Sequence, residues 1–303
     1  MRRIHSVILG RLRGGLLAGI VGGAAAFPGV ASAQGAPAGV MKQDTATSGK
    51  ADVATEGFAA AAKLAEANDA TEAKIQAGGL SASGNSRSLA LTSMGTVRVR
   101  RGANELSAAA SANYGRSATK AADPMQTTIE NYQGKLRYDR FVSDPLALFT
   151  SLSGRRDRFQ GLDLRLNLDP GLAYYFVQNP KHQLWGEAGY DLQYDIRRDQ
   201  AIEAALVNGM RLGKAKTRHS ARLFAGYRNS LNEAVTFNTG IEYLQGLPDT
   251  EYWRLNWDVG LTAALAAKFS LATTFSLRYD NHPLNGIKST DTLTAINLVY
   301  QLL

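Results

Sequence analysis

Thr290-Asp-Thr-Leu-Thr-Ala-Ile-Asn-Leu-Val-Tyr-Gln-Leu-Leu303 is the stretch on which the fold turns. Side chains along a strand point alternately to opposite faces. Thr294, Ile296, Leu298, Tyr300 and Leu302 therefore share one oily wall, and Ala295, Asn297, Val299 and Gln301 share a mixed one. A strand of this kind at the end of the chain is expected of an outer-membrane β-barrel, whose last strand pairs with its first to close the wall.

The same period of two runs through the region before it. Trp253, Leu255, Trp257, Val259 and Leu261 alternate with Arg254, Asn256, Asp258, Gly260 and Thr262. Phe269, Leu271, Thr273, Phe275, Leu277 and Tyr279 alternate with Ser270, Ala272, Thr274, Ser276, Arg278 and Asp280. Residues 235–243 and 162–176 behave likewise, with a bulge or bend expected at Pro170 because proline interrupts a ladder. Weaker alternation marks 75–83, 88–100, 105–114, 132–141, 146–155, 183–194 and 221–228. The sum is an all-β chain, an antiparallel transmembrane β-barrel of about 12 strands, an even number as such barrels use.

The connections support this count independently. Segments 101–104, 143–145, 178–181, 229–232 and 264–267 read as short turns. Segments 116–131, 156–161, 195–220, 245–251 and 281–289 read as longer loops, with Gly84-Asn85 a tight exception. Short turns at one end and longer loops at the other are the mark of a barrel whose two termini lie on the short-turn side, here expected to be the periplasm.

The N-terminal region gives an address. Arg2, Arg3, Arg11 and Arg13 precede an apolar Gly/Ala-rich run that ends in Ala31-Ser32-Ala33, which reads as a secretory signal peptide over residues 1–33. Residues 34–50 are Gly, Ala, Pro, Thr and Ser and read as a flexible linker. Residues 51–74 carry Phe58, Leu64 and many alanines among good helix formers and read as an Ala-rich helical segment. The barrel is expected over 75–303. The chain carries a formal charge of +8; without the four signal arginines it falls to about +4, too mild to argue for nucleic acid. With no cysteine, disulfides, thiolate metal sites and cysteine nucleophiles are excluded.

Alternation alone does not separate a membrane barrel from a soluble sandwich. Strand length does: these runs approach the ~9–11 residues that cross a bilayer at a tilt. Aromatic spacing agrees. Phe269 and Tyr279 are ten positions apart, roughly 25 Å along the barrel axis, the height of the apolar band between aromatic girdles. Trp253, Trp257, Phe269, Tyr279 and Tyr300 are the expected lipid-facing girdle residues. The opposite face places charge in mid-strand at Arg137, Asp139, Arg165, Asp169, Glu187, Asp191, Arg222, Arg254, Asp258 and Arg278. In a barrel these line the lumen, where opposite charges on neighbouring strands can pair.

Several separated motifs also resemble one family. They are Lys135-Leu-Arg-Tyr-Asp-Arg-Phe141, Arg158-Phe-Gln-Gly-Leu-Asp163, Tyr252-Trp-Arg-Leu-Asn256 and the run from Tyr279 through His282-Pro-Leu-Asn-Gly to Leu293. Their order and spacing over 75–303 are similar to the family catalogued as domain of unknown function 481, described as salt-induced outer-membrane proteins. The resemblance implies an outer-membrane barrel and implies no activity, substrate or catalytic residue.

Chemistry-bearing residues are sparse. Outside the signal, the histidines are His182, His219 and His282. A lipid hydrolase would need a Ser nucleophile within hydrogen-bonding reach of a His base, and His219 with Ser220, or His282 with Ser289 and Asp280, Asn281 or Asp291, are the available sets. Adjacent His219 and Ser220 would point to opposite faces. The acidic residues are interleaved with arginine and lysine, which favours ion pairing over metal binding. No catalytic residue, cofactor or metal is expected, and the protein is read as no enzyme. The expected role is a narrow channel or an envelope-integrity protein in the cell outer membrane. Its expected partners are outer-membrane lipid, the barrel-assembly machinery through the C-terminal strand, and small charged solutes. The alternatives are an interaction module acting through outer loops or residues 51–74, and a lipid-modifying hydrolase.

Overall fold

A computed structural model describes residues 69–302 apart from 85, 121, 159–160, 208, 210 and 283–288. The signal peptide, the linker and residues 51–68 of the expected helix lie outside the described residues. Among those described, the chain forms twelve strands and one short helix. The strands are β1 (Asp69–Ala82), β2 (Arg87–Arg101), β3 (Asn104–Ala118), β4 (Gln126–Phe141), β5 (Leu146–Asp157) and β6 (Leu162–Gln178). They continue with β7 (His182–Arg197), β8 (Ala215–Ser230), β9 (Val235–Gly246), β10 (Trp253–Ala266), β11 (Phe269–Asp280) and β12 (Thr290–Gln301). Helix α1 (Asp199–Val207) lies between β7 and β8.

Each strand pairs antiparallel with its sequence neighbours, and β12 returns to β1, so the sheet is a closed barrel. At the seam Lys74, Ile75, Gln76 and Ala77 sit opposite Gln301, Tyr300, Val299 and Leu298. Closure matters physically because an open edge would leave unpaired N–H and C=O groups in hydrocarbon, each costing several kcal/mol, roughly.

Four expectations need correction. β1 begins at Asp69, so residues 69–74 belong to the wall and not to the expected helix. Residues 195–197 and 215–220 are strand, not loop, because the alternation continues: Lys216, Arg218 and Ser220 share one face, and Thr217 and His219 the other. The connection that remains holds α1, whose first turn carries Asp199, a favourable place for an anion. Lys214 lies 2.6 Å from that carboxylate, and this hydrogen bond holds its ammonium above the ordinary lysine range. Finally, residues 116–118 and 126–131 of the expected 116–131 loop are strand. At Pro170 the β6–β7 ladder is interrupted, with neither Asp169 nor Pro170 paired, but the register does not slip into a bulge. Thr150 pairs with Pro170 on one side, and on the other the register passes from Leu168–Leu192 to Gly171–Gly189 without a shift.

The outer wall is apolar. Leu91, Leu106, Leu152, Leu172, Leu223 and Ile296 all stand exposed on it, Ile296 at 63%. In water each such side chain would forfeit about 1.5–3 kcal/mol of burial; against lipid tails it forfeits nothing. Among the described residues no helix is long and apolar enough to cross a membrane, so crossing falls to the strands. They run from 12 to 17 residues, ample for a tilted passage.

Candidate functional site: the charged lumen

Strand parity fixes what enters the lumen. On β4, β5, β6 and β7 the odd-numbered residues face inward, and on β8 to β11 the even-numbered ones do. All ten charged residues singled out from the sequence share this inner face. Arg165 and Arg278 are half-buried there, and the other eight are buried.

The centre is a chain of ion pairs that bridges the barrel. Arg137 on β4 donates from Nε and Nη2 to Asp139, at 2.6 to 3.0 Å. Its Nη1 donates to Glu187 on β7 at 3.1 Å. Glu187 also accepts from Arg222 Nη1 at 2.9 Å. Arg222 Nε donates to Glu242 Oε1 at 2.6 Å, and Glu242 Oε2 accepts from Asn256 at 2.9 Å. The link from β4 to β7 skips β5 and β6, so it is a chord across the lumen. The Arg137 guanidinium lies 3.9 Å from the ring centre of Phe149 on β5, beneath that chord. Dispersion and cation–π attraction there add to the ionic contacts.

Smaller pairs flank this belt. Arg165 grips Asp195 at 2.6 and 2.8 Å, and Gln193 donates to the same carboxylate at 2.8 Å. Arg278 Nη2 donates to Asp258 at 2.7 Å, and the Ser276 hydroxyl donates to it as well. Arg254 reaches across to Asp191 at a longer 3.8 Å. Asp169 stands buried with no hydrogen bond from a neighbour to either carboxyl oxygen.

Toward the short-turn end the lumen changes character. Phe141, Phe149, Tyr175, Trp185 and Phe224 pack there with Ala147 and Ala173 into a buried apolar cluster. Arg100 lies 4.0 Å from the centre of the Phe141 ring. Sequence reasoning missed this layer, although its signal was present. Three of the five share the parity of a lumen charge two residues away: Phe141 with Asp139, Trp185 with Glu187 and Phe224 with Arg222. Glycines sit opposite two of them: Gly171 pairs with Phe149 and Gly226 with Trp185. A Cβ on Gly226 would meet the Trp185 ring at 2.2 Å, so the glycine makes the room that the indole fills.

One sector of the lumen is lined differently. On β2 and β3 the inward residues Thr92, Thr96, Ser107, Ala109 and Ser111 are small and half-exposed at mid-strand, with Met94 buried between the two threonines. Lys135 on β4 borders them, also half-exposed. Their strands are paired on both sides, so the solvent they meet lies inside the barrel. The charged belt therefore fills the β4–β10 side, and a narrow lane follows the middle of β2 and β3, bounded toward the short-turn end by the ion cluster of Arg98, Arg100 and Glu105.

The expected girdle residues all lie on the outer wall, the face opposite Arg254, Ala272 and Asn297. Phe269 and Tyr300 meet at 4.8 Å between ring centres near the short-turn end. Trp253 meets Tyr279 at 4.9 Å and Tyr243 at 5.9 Å at the long-loop end. Trp257 is different. It lies inside the apolar band, edge-on to Phe275, with its indole N–H donating to Thr239 at 3.0 Å.

The hydrolase sets do not assemble around Ser220. That side chain is buried in the lumen, while His219 is on the outer wall, hydrogen-bonded to Tyr190. At the long-loop end, Asp280 accepts from the His282 backbone N–H at 2.9 Å and Asn281 from the Trp253 N–H at 2.7 Å. Among the described residues no group of three or more His, Asp or Glu gathers as metal ligands.

A closed twelve-stranded wall, apolar outside and ionic within, defines a transmembrane β-barrel of the outer-membrane type. The chain belongs to the DUF481 family, described as a protein of unknown function, which matches over residues 75–302. No curated protein matches it. Among solved structures it is similar to the translocator domain of the autotransporter NalP from Neisseria meningitidis, at 17% identity and a TM-score of 0.38, covering 76% of this chain and 86% of that one. It is also similar to the anion-selective porin from Comamonas acidovorans, at 10% identity and a TM-score of 0.32, covering 77% and 97% of the two chains.

Proposed function

We propose that this protein is a non-catalytic outer-membrane barrel that gives small charged solutes a narrow, ion-lined passage. The half-exposed lane of Thr92, Thr96, Ser107, Ala109 and Ser111 carries the proposal, since a filled barrel would leave those mid-strand side chains dry. Twelve strands fall between the ~8-strand barrels that side chains fill and the ~16–18-strand open porins. The belt of Arg137, Glu187 and Arg222 narrows that width further, and Arg98, Arg100 and Glu105 narrow the β2–β3 sector toward its short-turn end. The start of β1 and the end of β12 lie at the short-turn end, which in this reading faces the periplasm. The outer surface of β12 serves recognition by the barrel-assembly machinery.

Single-channel recording in planar lipid bilayers tests the passage. Small, ohmic steps are expected, well below those of an open porin. Replacing Ser107 and Ser111 together by Phe should abolish the steps while the protein still inserts. Insertion with no conductance in the native protein would refute the reading.

A further inference from the structure

The lumen holds one row of side chains that the ion-pair belt leaves unexplained. Strand register sets Ser151 opposite Asp169, and Asp191 opposite Ser220. Between them, the pairs Leu168–Leu192 and Gly171–Gly189 place Asp169 opposite Asp191. The row Ser151, Asp169, Asp191, Ser220 thus runs around the wall from β5 to β8, and each member is at most 1% exposed. Both Asp169 oxygens, Asp191 Oδ2 and the two serine hydroxyls have no hydrogen-bond partner in the protein. Opposing residues on paired strands bring their Cβ atoms within about 5.5 Å, and like charges so placed repel. In a dry interior that repulsion grows, because no water screens it.

Neighbouring cations do not remove it. Asn167 donates to Asp191 Oδ1 at 2.7 Å, but an amide carries no charge. Arg254 stays 3.8 Å from Asp191 Oδ2, beyond hydrogen-bonding distance. Arg222 and Lys135 act on Asp169 through space, yet Arg222 already donates to Glu187 and Glu242. Arg137 is engaged by Asp139 and Glu187, and Arg218, the next inward cation on β8 after Arg222, lies over the Tyr252 ring. The flanking pairs Arg165–Asp195 and Arg278–Asp258 balance themselves. The five oxygens around Asp169 and Asp191 are thus left without a hydrogen-bonded cation.

We propose that Asp169 and Asp191, flanked by the hydroxyls of Ser151 and Ser220, form a binding site for one small cation, a proton or a bare metal ion. Five unpartnered oxygens suit a hard cation, and a shared proton would turn the opposed carboxyls into a hydrogen-bonded pair. The site stands whether or not the lumen conducts, because its occupant sits in the wall-side row and not in the β2–β3 lane.

Infrared spectroscopy of the folded barrel in lipid vesicles at neutral pH reads the proton directly, through the carbonyl stretch that a carboxylic acid shows and a carboxylate lacks. If the occupant is a proton, the native protein shows that band. Asp169→Asn and Asp191→Asn each lose it, and Ser220→Ala, which keeps both carboxyls, shifts it. If the occupant is a metal ion, the band is absent. Millimolar sodium or calcium chloride then raises the unfolding midpoint of the native barrel above that in matched choline chloride, and the rise is lost in Asp169→Asn. A band that survives in both Asn variants, or a native protein with neither band nor cation-dependent stabilisation, would overturn the proposal. The native measurements decide this even if a variant fails to fold.

Discussion

Arg222 Nε lies 2.6 Å from Glu242 Oε1, and neither side chain touches solvent. The pair ties β8 to β9 at a register position where Arg222 stands opposite Leu244, one inward position from Glu242. Removing one partner leaves the other charged and buried, which costs about 3–5 kcal/mol. Glu242→Ala and Arg222→Ala should each lower the unfolding free energy by about that much. The double change should cost clearly less than the sum, because the second removal takes away the stranded charge. Urea unfolding in lipid vesicles measures this, and additive losses would mean that the two groups do not depend on each other.

Gly226→Ala should be the most damaging of the small substitutions. The new Cβ would fall 2.2 Å from an indole that is itself 0% exposed, so nothing nearby can yield. Overpacking of this kind costs about 1–3 kcal/mol. The same change at Gly95, where a Cβ would meet nothing within 4 Å, should leave stability within about 0.5 kcal/mol. Equal effects at the two sites would contradict the packing at the short-turn end.

The seam between β1 and β12 can be checked covalently. Ile75 pairs with Tyr300, and the chain has no cysteine to interfere. Opposed residues have Cβ atoms about 4.5–5.5 Å apart, close to what a disulfide bridges. Ile75→Cys with Tyr300→Cys should therefore oxidise quantitatively in the folded barrel and shift its mobility on a non-reducing gel. Ile75→Cys with Leu298→Cys, one pair out of register, should oxidise far less. No cross-link in the first variant would mean an open sheet.

Lipid contact makes its own prediction. Ile296 is 63% exposed at the middle of β12. An arginine at the bilayer midplane of a barrel costs about 2–4 kcal/mol, so Ile296→Arg should fold in vesicles with a stability lowered by that amount. Thr96→Arg, which points into the lane, should cost much less and should reduce conductance. If Ile296→Arg cost nothing, hydrocarbon would not be what covers that wall.

The sequence by itself determined the wall. A period of two over runs of ten or more residues, with oily and charged positions in strict alternation, has few solutions other than a closed sheet with lipid on one side. The parity that puts Arg137, Glu187 and Arg222 on one face is set by backbone pleating, and no tertiary contact is needed to read it. What only the tertiary structure decided is who meets whom across the lumen. Arg137 reaches Glu187 past two intervening strands, Trp185 settles over Gly226, and Asp169 comes to stand opposite Asp191. Those meetings depend on strand register and on the curvature of the closed wall. Both are sums over the whole circuit, so no local stretch of sequence carries them.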